Sequence, residues 1–465
     1  MVLRMATEKK RRGCFRAVLK WTARLLAVVV LLAVITICIR FHDALYSRFV
    51  LFPRQAAAWK AIQSERREVP LDDGWNEYRG VMHAHSELSH DSDISFPDIA
   101  AVLHKADCDF IFMTDHVNEG KGDYSKGWKG THDGILFVRG YEMQGGFMPW
   151  GLPDNTVLDK KDDERALAKR IGELGGVLFF AHCEEPRLWD LPELTGMEIY
   201  NIHVDFKDEN LKELLPSIFL SLYSYPDQAF RLMFDRPTAF LRKWDEVNAT
   251  RHITGIAAND AHQNVGWRLF YNPSDDTLRL VGTGDKEEES RRIKLNFFTR
   301  PLARLLLGPL EPDRELFRVE LDPYERSARY VNTHLLATEC TEPALLDALR
   351  RGRAFVAFDM LANARGFVFL VQGREKKAVM GESIPLEPDL TLRMASPHSC
   401  RFTILRNGAQ VAQLTGNAFD WKVPEPGKYR VEAELSILGE WTPWVYANPI
   451  EVSASSVGGE VKNAQ

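Results

Sequence analysis

GVMHAHSELSHDSD, residues 80–93, sets three histidines and two aspartates in fourteen positions directly behind a short apolar run. His83 and His85 stand two apart, and His90 and Asp91 follow at once. Working outward, other short apolar runs end the same way. CDFIFMT (108–114) runs into Asp115 and His116, ILFVRGY (135–141) into Glu142, and GVLFFA (176–181) into His182. GMEIYNI (196–202) runs into His203, and ITGIAA (253–258) is followed by Asn259, Asp260 and His262. Ten of the 13 histidines fall between 83 and 262.

The segments between these runs read as helices. PDIAAVLHKA carries Pro97 in a first turn, and DERALAKRIGELGG aligns Leu167, Ile171 and Leu174 on one stripe before Gly175 and Gly176 stop it. Apolar strands alternating with helices predict a parallel α/β sheet, open or closed into a barrel. In such folds the C-terminal strand ends converge on one face, where active sites form. Imidazoles and carboxylates gathered there need a positive partner, and divalent cations supply one. HxH or TDH alone is weak, and a buried histidine is commonly a core residue. Six strand ends delivering ligand-type side chains together point to a metal centre. His104, His132 and His252 read as structural or surface residues, and Cys183 as a thiol packed behind its strand.

MHAHSELSHDS, TDH, GYE, AHC and NDAH, in that order over about 180 residues, resemble the polymerase-and-histidinol-phosphatase (PHP) superfamily of metal-dependent phosphoesterases. GRAFVAFD (352–359), GKYRVEAEL and WVYANPIEV resemble the tail of its carbaryl-hydrolase-like (CehA/McbA-type) branch. The resemblance implies a distorted (β/α)7 barrel followed by a C-terminal β-sandwich. It implies two to three divalent ions (Mn, Zn or Fe), with His83, His85, Glu142 and Asp260 on a first ion and His262 near it. Glu142 would bridge to a second, bound also by His182, and His90, His116 and His203 would gather a third. Asp91 or Asp115 would orient an imidazole. Glu142, Asp260 and His262 are the expected catalytic residues. The family pattern has another histidine shortly after the bridging glutamate; here MQGGFMPWGLP offers only Gln144. The chemistry expected is hydrolysis of a small-molecule phosphate ester by a metal-bound hydroxide. A carbamate or amide-like ester is the alternative, as is a non-catalytic metal or ligand sensor of the envelope.

The termini frame this centre. Residues 1–24 carry eight Lys/Arg against Glu8, which leaves about −13 on the remainder of a chain whose net charge is −6. So acidic a body excludes nucleic acid as an expected partner. LLAVVVLLAVITICI (25–39), extended by Trp21–Arg24, approaches the ~20 residues a membrane span needs. A cleaved signal peptide is the alternative, but no small-x-small site follows and Ile37 spoils a lipoprotein box. The expectation is an uncleaved single-pass anchor with the N-terminus cytoplasmic and everything after residue 40 outside. The remaining cysteines form no CxxC pair.

The expected organisation is a basic segment and anchor at 1–40, a juxtamembrane linker at 41–75, and the barrel with helical insertions at 76–335. A β-sandwich follows at 336–452 and a loose tail at 453–465. NFFTRPLARLLLGPL, inside the second irregular insertion, is expected to pack as an amphipathic helix, with a membrane surface as the alternative. NG at 407–408 and PG at 426–427 are turn signals in the β-rich part.

Overall fold

The computed structural model describes residues 2–69, 72–117, 119–282, 290–312 and 314–454. Much of the charged run GDKEEES and most of the expected tail fall outside these residues. The chain divides into two compact units, one of residues 1–58 with 209–234, the other of residues 59–208 with 235–465.

The first unit is helical. Its N-terminal helix, Val2–Arg40, includes a stretch Leu19–Arg40 that contains an 18-residue window with a mean hydropathy of 2.6 and has every side chain exposed. Those 22 residues rise about 33 Å at 1.5 Å each, enough for a hydrocarbon layer about 30 Å thick. Residues 209–234 contribute Leu211–Ser221 and Pro226–Phe230. Arg48 reaches this segment, donating to Ser224 Oγ at 2.8 Å and lying 5.1 Å from the centre of the Tyr225 ring.

Six strands of the second unit arise where the apolar runs predict them: β1 (Asn76–Met82), β2 (Phe110–Phe112), β3 (Ile135–Val138), β5 (Val177–Phe180), β6 (Leu194–Asn201) and β7 (Thr254–Ala258), while β4 (Phe147–Trp150) forms inside MQGGFMPWGLP, where no run predicts one. β1, β2 and β3 pair in parallel. An antiparallel bridge, Gly140↔Trp150, leads from β3 to β4, which runs antiparallel to β5. β5, β6 and β7 are parallel again. β7 returns to β1 through Asn259 N–H donating to Met82 O at 3.0 Å and a parallel bridge Ala84↔Ala261. Gly140 is required at its bridge, since a Cβ there would stand 2.3 Å from Trp150 Cδ1 and 2.5 Å from Met113 O.

Alternate residues of these strands meet in one buried cluster that includes Met82, Phe112, Val138, Trp150, Phe179 and Ile256, with Leu345 and Leu349 of the helix Glu342–Arg351 packed among them. The connecting helices carry side-chain N-caps. Ser95 accepts from Asp98 N–H ahead of Phe96–Lys105, and Asp163 accepts from Arg165 and Ala166 N–H ahead of Glu164–Glu173.

The expected boundary at 335/336 falls inside a strand, Asn332–Ala337. It pairs antiparallel with β1 and with Ala354–Ala357, which in turn pairs with Glu440–Ala447. The C-terminal strands therefore share one hydrogen-bonded path with β1. Asn332 and His334 are unpromising strand residues by composition, but neighbours satisfy both. Asn332 Nδ2 donates to Ala328 O at 2.9 Å, while His334 lies 2.5 Å from Glu77 Oε1 and 2.8 Å from Asp359 Oδ2. The NG turn forms as expected, with Asn407 and Gly408 both at positive φ between Thr391–Arg406 and Ala409–Lys422.

A small antiparallel sheet holds Gly266–Asn272, Thr277–Gly282, Arg291–Lys294 and Glu315–Glu320, and the helix Thr299–Leu307 follows its third strand. The packing expected of that helix is one-sided, and most of its apolar side chains stay exposed.

Candidate metal centre

The strand ends converge. His83, His182 and Asp260 each follow a strand and adopt positive φ (60°, 47° and 47°), a left-handed conformation uncommon for side-chain-bearing residues. The left-handed step turns each side chain back over the strand ends. Three groups of ligand atoms result, each with its atoms within 4.8 Å of one another: His83, His85 and Glu142; His83, His182 and Asp260; and His85, Asp91, His116 and His262.

Separations within these groups are informative. His83 Nε2 lies 3.3 Å from Asp260 Oδ1 and 3.5 Å from Glu142 Oε2. His85 Nε2 lies 3.5 Å from Asp260 Oδ1, and His182 Nε2 is 3.1 Å from Glu142 Oε1. His116 and His262 Nε2 flank Asp91 Oδ2 at 3.4 and 3.3 Å. Most are long for hydrogen bonds. Two ligands each about 2.1 Å from a tetrahedral ion stand about 3.4 Å apart. The buried Nε2 atoms of His83 and His85, Oδ1 of Asp260 and Oδ1 of Asp91 find no hydrogen-bond partner among the described residues. Orphaned buried nitrogens and carboxylate oxygens spaced in this way fit a divalent cation.

The other ring nitrogens explain why these Nε2 atoms face the centre. His83 Nδ1 donates to Glu198 Oε1 at 2.5 Å. Glu198, fully buried on β6, also accepts from His182 N–H at 2.9 Å and Asn201 Nδ2 at 3.0 Å. His85 Nδ1 lies 3.0 Å from Ser89 Oγ, whose proton goes to Asp115 Oδ1 at 3.1 Å, so the imidazole is the donor. His262 Nδ1 donates to the Asp260 carbonyl at 2.9 Å. Each proton is held on Nδ1, leaving Nε2 to the site, the tautomer that a metal-ligating histidine needs.

Charge follows the same plan. Burial opposes protonation of His83, but Asp260, Glu198 and Glu142 outweigh it and hold its pKa well above normal. Burial likewise works against His182, yet Glu142 and Glu184 raise it to about 10. Burial and the neighbouring His262 push His85 down to about 3, so it stays neutral. Burial disfavours ionised Glu142 and Asp260, and the facing histidines, His83 foremost, nonetheless hold both well below the carboxylate range. So strong a demand for positive charge is what a bound cation meets while displacing protons.

Of the residues expected from the sequence, the structure brings His83, His85, His116, Glu142, His182, Asp260 and His262 into these groups. His90 is exposed with its ring 5.0 Å from that of His116, and the His203 ring is 6.5 Å from that of His182. Neither joins a group. Asp91, read only as an orienting partner, stands between His116 and His262 instead, because adjacent turn residues point in different directions. Asp115 takes an orienting part, accepting from Ser86 N–H at 2.6 Å and from the Ser86 and Ser89 hydroxyls.

Sequence reading missed Glu198, Glu184 and Asp322. A glutamate inside GMEIYNI, a strand buried on both faces, was the available signal for the first. Glu184 lies 3.4 Å from His182 Nδ1. Asp322 accepts from Asn264 and Val265 N–H at 3.0 and 2.9 Å, fixing the chain beyond His262, and burial pushes its pKa up to about 7. Cys183 is a packed thiol whose Sγ donates to Phe180 O at 3.5 Å.

No family model and no curated protein matches this chain. Among solved structures, it is similar to a two-domain protein from Bacteroides vulgatus described as containing a predicted PHP-like metal-dependent phosphoesterase. That match covers 82% of this chain and 98% of the other, at 13% identity and a TM-score of 0.33. A TM-score that low does not establish a shared fold.

Proposed function

We propose that this chain is a membrane-anchored, metal-dependent hydrolase of the PHP type, acting on a phosphate ester at the centre formed by His83, His85, Glu142, His182 and Asp260. The observation that carries the reading is the set of three histidines whose Nδ1 protons are held by Glu198, Ser89 and the Asp260 carbonyl, leaving Nε2 toward shared carboxylates. The order of the sequence motifs supports the family, and the cyclic succession of strand neighbours from β1 through β7 back to β1 supports a distorted seven-stranded barrel.

His83, His85 and Glu142 would hold one divalent ion, and His83, His182 and Asp260 another; His85, Asp91, His116 and His262 are the third candidate set. Such ions supply Lewis acidity and a water made nucleophilic near neutral pH. The chain's own residues do the positioning. Glu198 fixes the His83 ring and the backbone of His182 together, and Asp115 fixes His85 through Ser89. His83, His85 and Asp260 are almost fully buried, whereas His116 and Asp91 are 28% and 29% exposed, so substrate approaches from the His116 side. The basic N-terminal segment favours a cytoplasmic N-terminus and an extracytoplasmic catalytic region.

The test uses the full chain in detergent. Metal content per chain is measured beside hydrolysis of p-nitrophenyl phosphate, bis-p-nitrophenyl phosphate and naphthyl methylcarbamate. Turnover of a phosphate ester, lost in Glu142→Gln and Asp260→Asn with the fold intact by circular dichroism, is the expected result. Preference for the carbamate would move the assignment to that ester class. Bound metal with no turnover of any ester would replace the enzyme with a metal-binding sensor.

A further inference from the structure

The helix Thr299–Leu307 packs against its small sheet through Ala303 and Leu307, which meet Leu269, Leu278 and Leu295. Its other side is more apolar than the packed one. Phe297, Phe298 and Leu305 are 86%, 81% and 81% exposed, and Leu302 and Leu306 are also open. Phe298, Leu302, Leu305 and Leu306 follow the i, i+4, i+7, i+8 spacing of one helical face. An isolated exposed leucine needs no explanation, but a contiguous aromatic and aliphatic face marks a contact surface.

The helix and the strand before it are basic between two acidic stretches, GDKEEES (284–290) and EPDRE (311–315). Residues 290–308 contain Arg291, Arg292, Lys294, Arg300 and Arg304 and no acidic residue. Arg300 pairs with Asp276, and Arg292 lies 3.4 Å from Asp275. Arg291, Lys294 and Arg304 have no ion-pair partner among the described residues. A second copy of the chain seated there about a two-fold axis would bring like charges together. An anionic lipid surface instead offers an apolar boundary beneath a layer of phosphates.

We infer that this helix is a second, interfacial membrane contact, seated on anionic lipid with Phe297, Phe298, Leu302, Leu305 and Leu306 in the headgroup–acyl boundary and the flanking cations at the phosphates. The chain's own N-terminal helix, long and apolar enough to span, supplies the tether. Tethering raises the effective concentration of the surface, so a contact weak by itself becomes occupied. The inference is independent of the metal centre.

The full chain is reconstituted into vesicles of phosphatidylcholine, with and without added phosphatidylglycerol, each doped with a phospholipid carrying a photoreactive group. Labelled peptides are then mapped by mass spectrometry. Labelling of the 291–308 peptide, in addition to the N-terminal span, is expected to rise severalfold with phosphatidylglycerol. It should fall about fivefold in Arg304→Gln and further in Phe298→Ser/Leu305→Ser. Label confined to the span in both lipids overturns the inference. So does protection of that peptide in lipid-free detergent accompanied by cross-links between copies, which would make it a subunit interface. Should the serine variant misfold, the lipid dependence of the wild-type chain decides alone.

Discussion

Replacing Glu198 by glutamine tests whether the centre depends on the tautomer of His83. Glu198 Oε2 accepts two buried donors, His182 N–H and Asn201 Nδ2, while Oε1 accepts only His83 Nδ1. Glutamine keeps a single acceptor oxygen. Each buried donor left without an acceptor costs roughly 1–3 kcal/mol, so that oxygen stays with the pair and the amide NH2 turns toward His83. The imidazole must then accept at Nδ1 and carry its proton on Nε2, facing Asp260 and Glu142 with a hydrogen where a ligand needs a lone pair. Loss of such an orienting partner weakens metal binding about 10- to 100-fold, or about 1.4–2.7 kcal/mol. Competition between the purified chain and a chelator of known affinity, for Zn and for Mn at neutral pH, measures this directly. An affinity within about twofold of wild type, in a folded Glu198→Gln protein whose His83→Ala counterpart does lose metal, would refute the reasoning.

Other outcomes follow from the same structure. His83→Ala combined with His85→Ala should remove at least one ion per chain by elemental analysis, since one or both rings belong to every group; unchanged stoichiometry would sink the assignment. Gly140→Ala forces a methyl against the buried Trp150 ring and Met113 O, and should cost about 1–3 kcal/mol or more in thermal or denaturant unfolding. Burial, aided by Lys428, pushes the His252 pKa down from 6.5 to about 4. The unfolded chain takes up that proton below pH 6.5 and the folded chain does not, so stability declines as pH falls from about 6.5 to 4. The loss is at most ~3 kcal/mol. Denaturant titrations of His252→Gln should show that acid-dependent part removed, and parallel pH profiles for the two proteins would contradict the burial argument.

Much of this was legible in the sequence because the signals are local. Apolar runs of four to eight residues report strands whatever they pair with, and Pro97 and the stripe of Leu167, Ile171 and Leu174 announce the helices Phe96–Lys105 and Glu164–Glu173. A histidine or carboxylate placed after each run reaches the strand-end face by chain continuity alone, which is why seven of the nine expected ligands meet.

Tertiary structure decided what depends on neighbours distant in sequence. Glu198 orients His83 across 115 residues, a pairing that no local period encodes. Turn geometry, through the direction of each side chain, chose Asp91 over His90. Backbone pairing with β1 and with Ala354–Ala357 made a strand of Asn332–Ala337 across the boundary that composition suggested. For Thr299–Leu307 the sequence carried the amphipathic period, but only packing showed which side is covered. Periodicity tells that a face is apolar; what lies against it depends on the rest of the chain and on its surroundings.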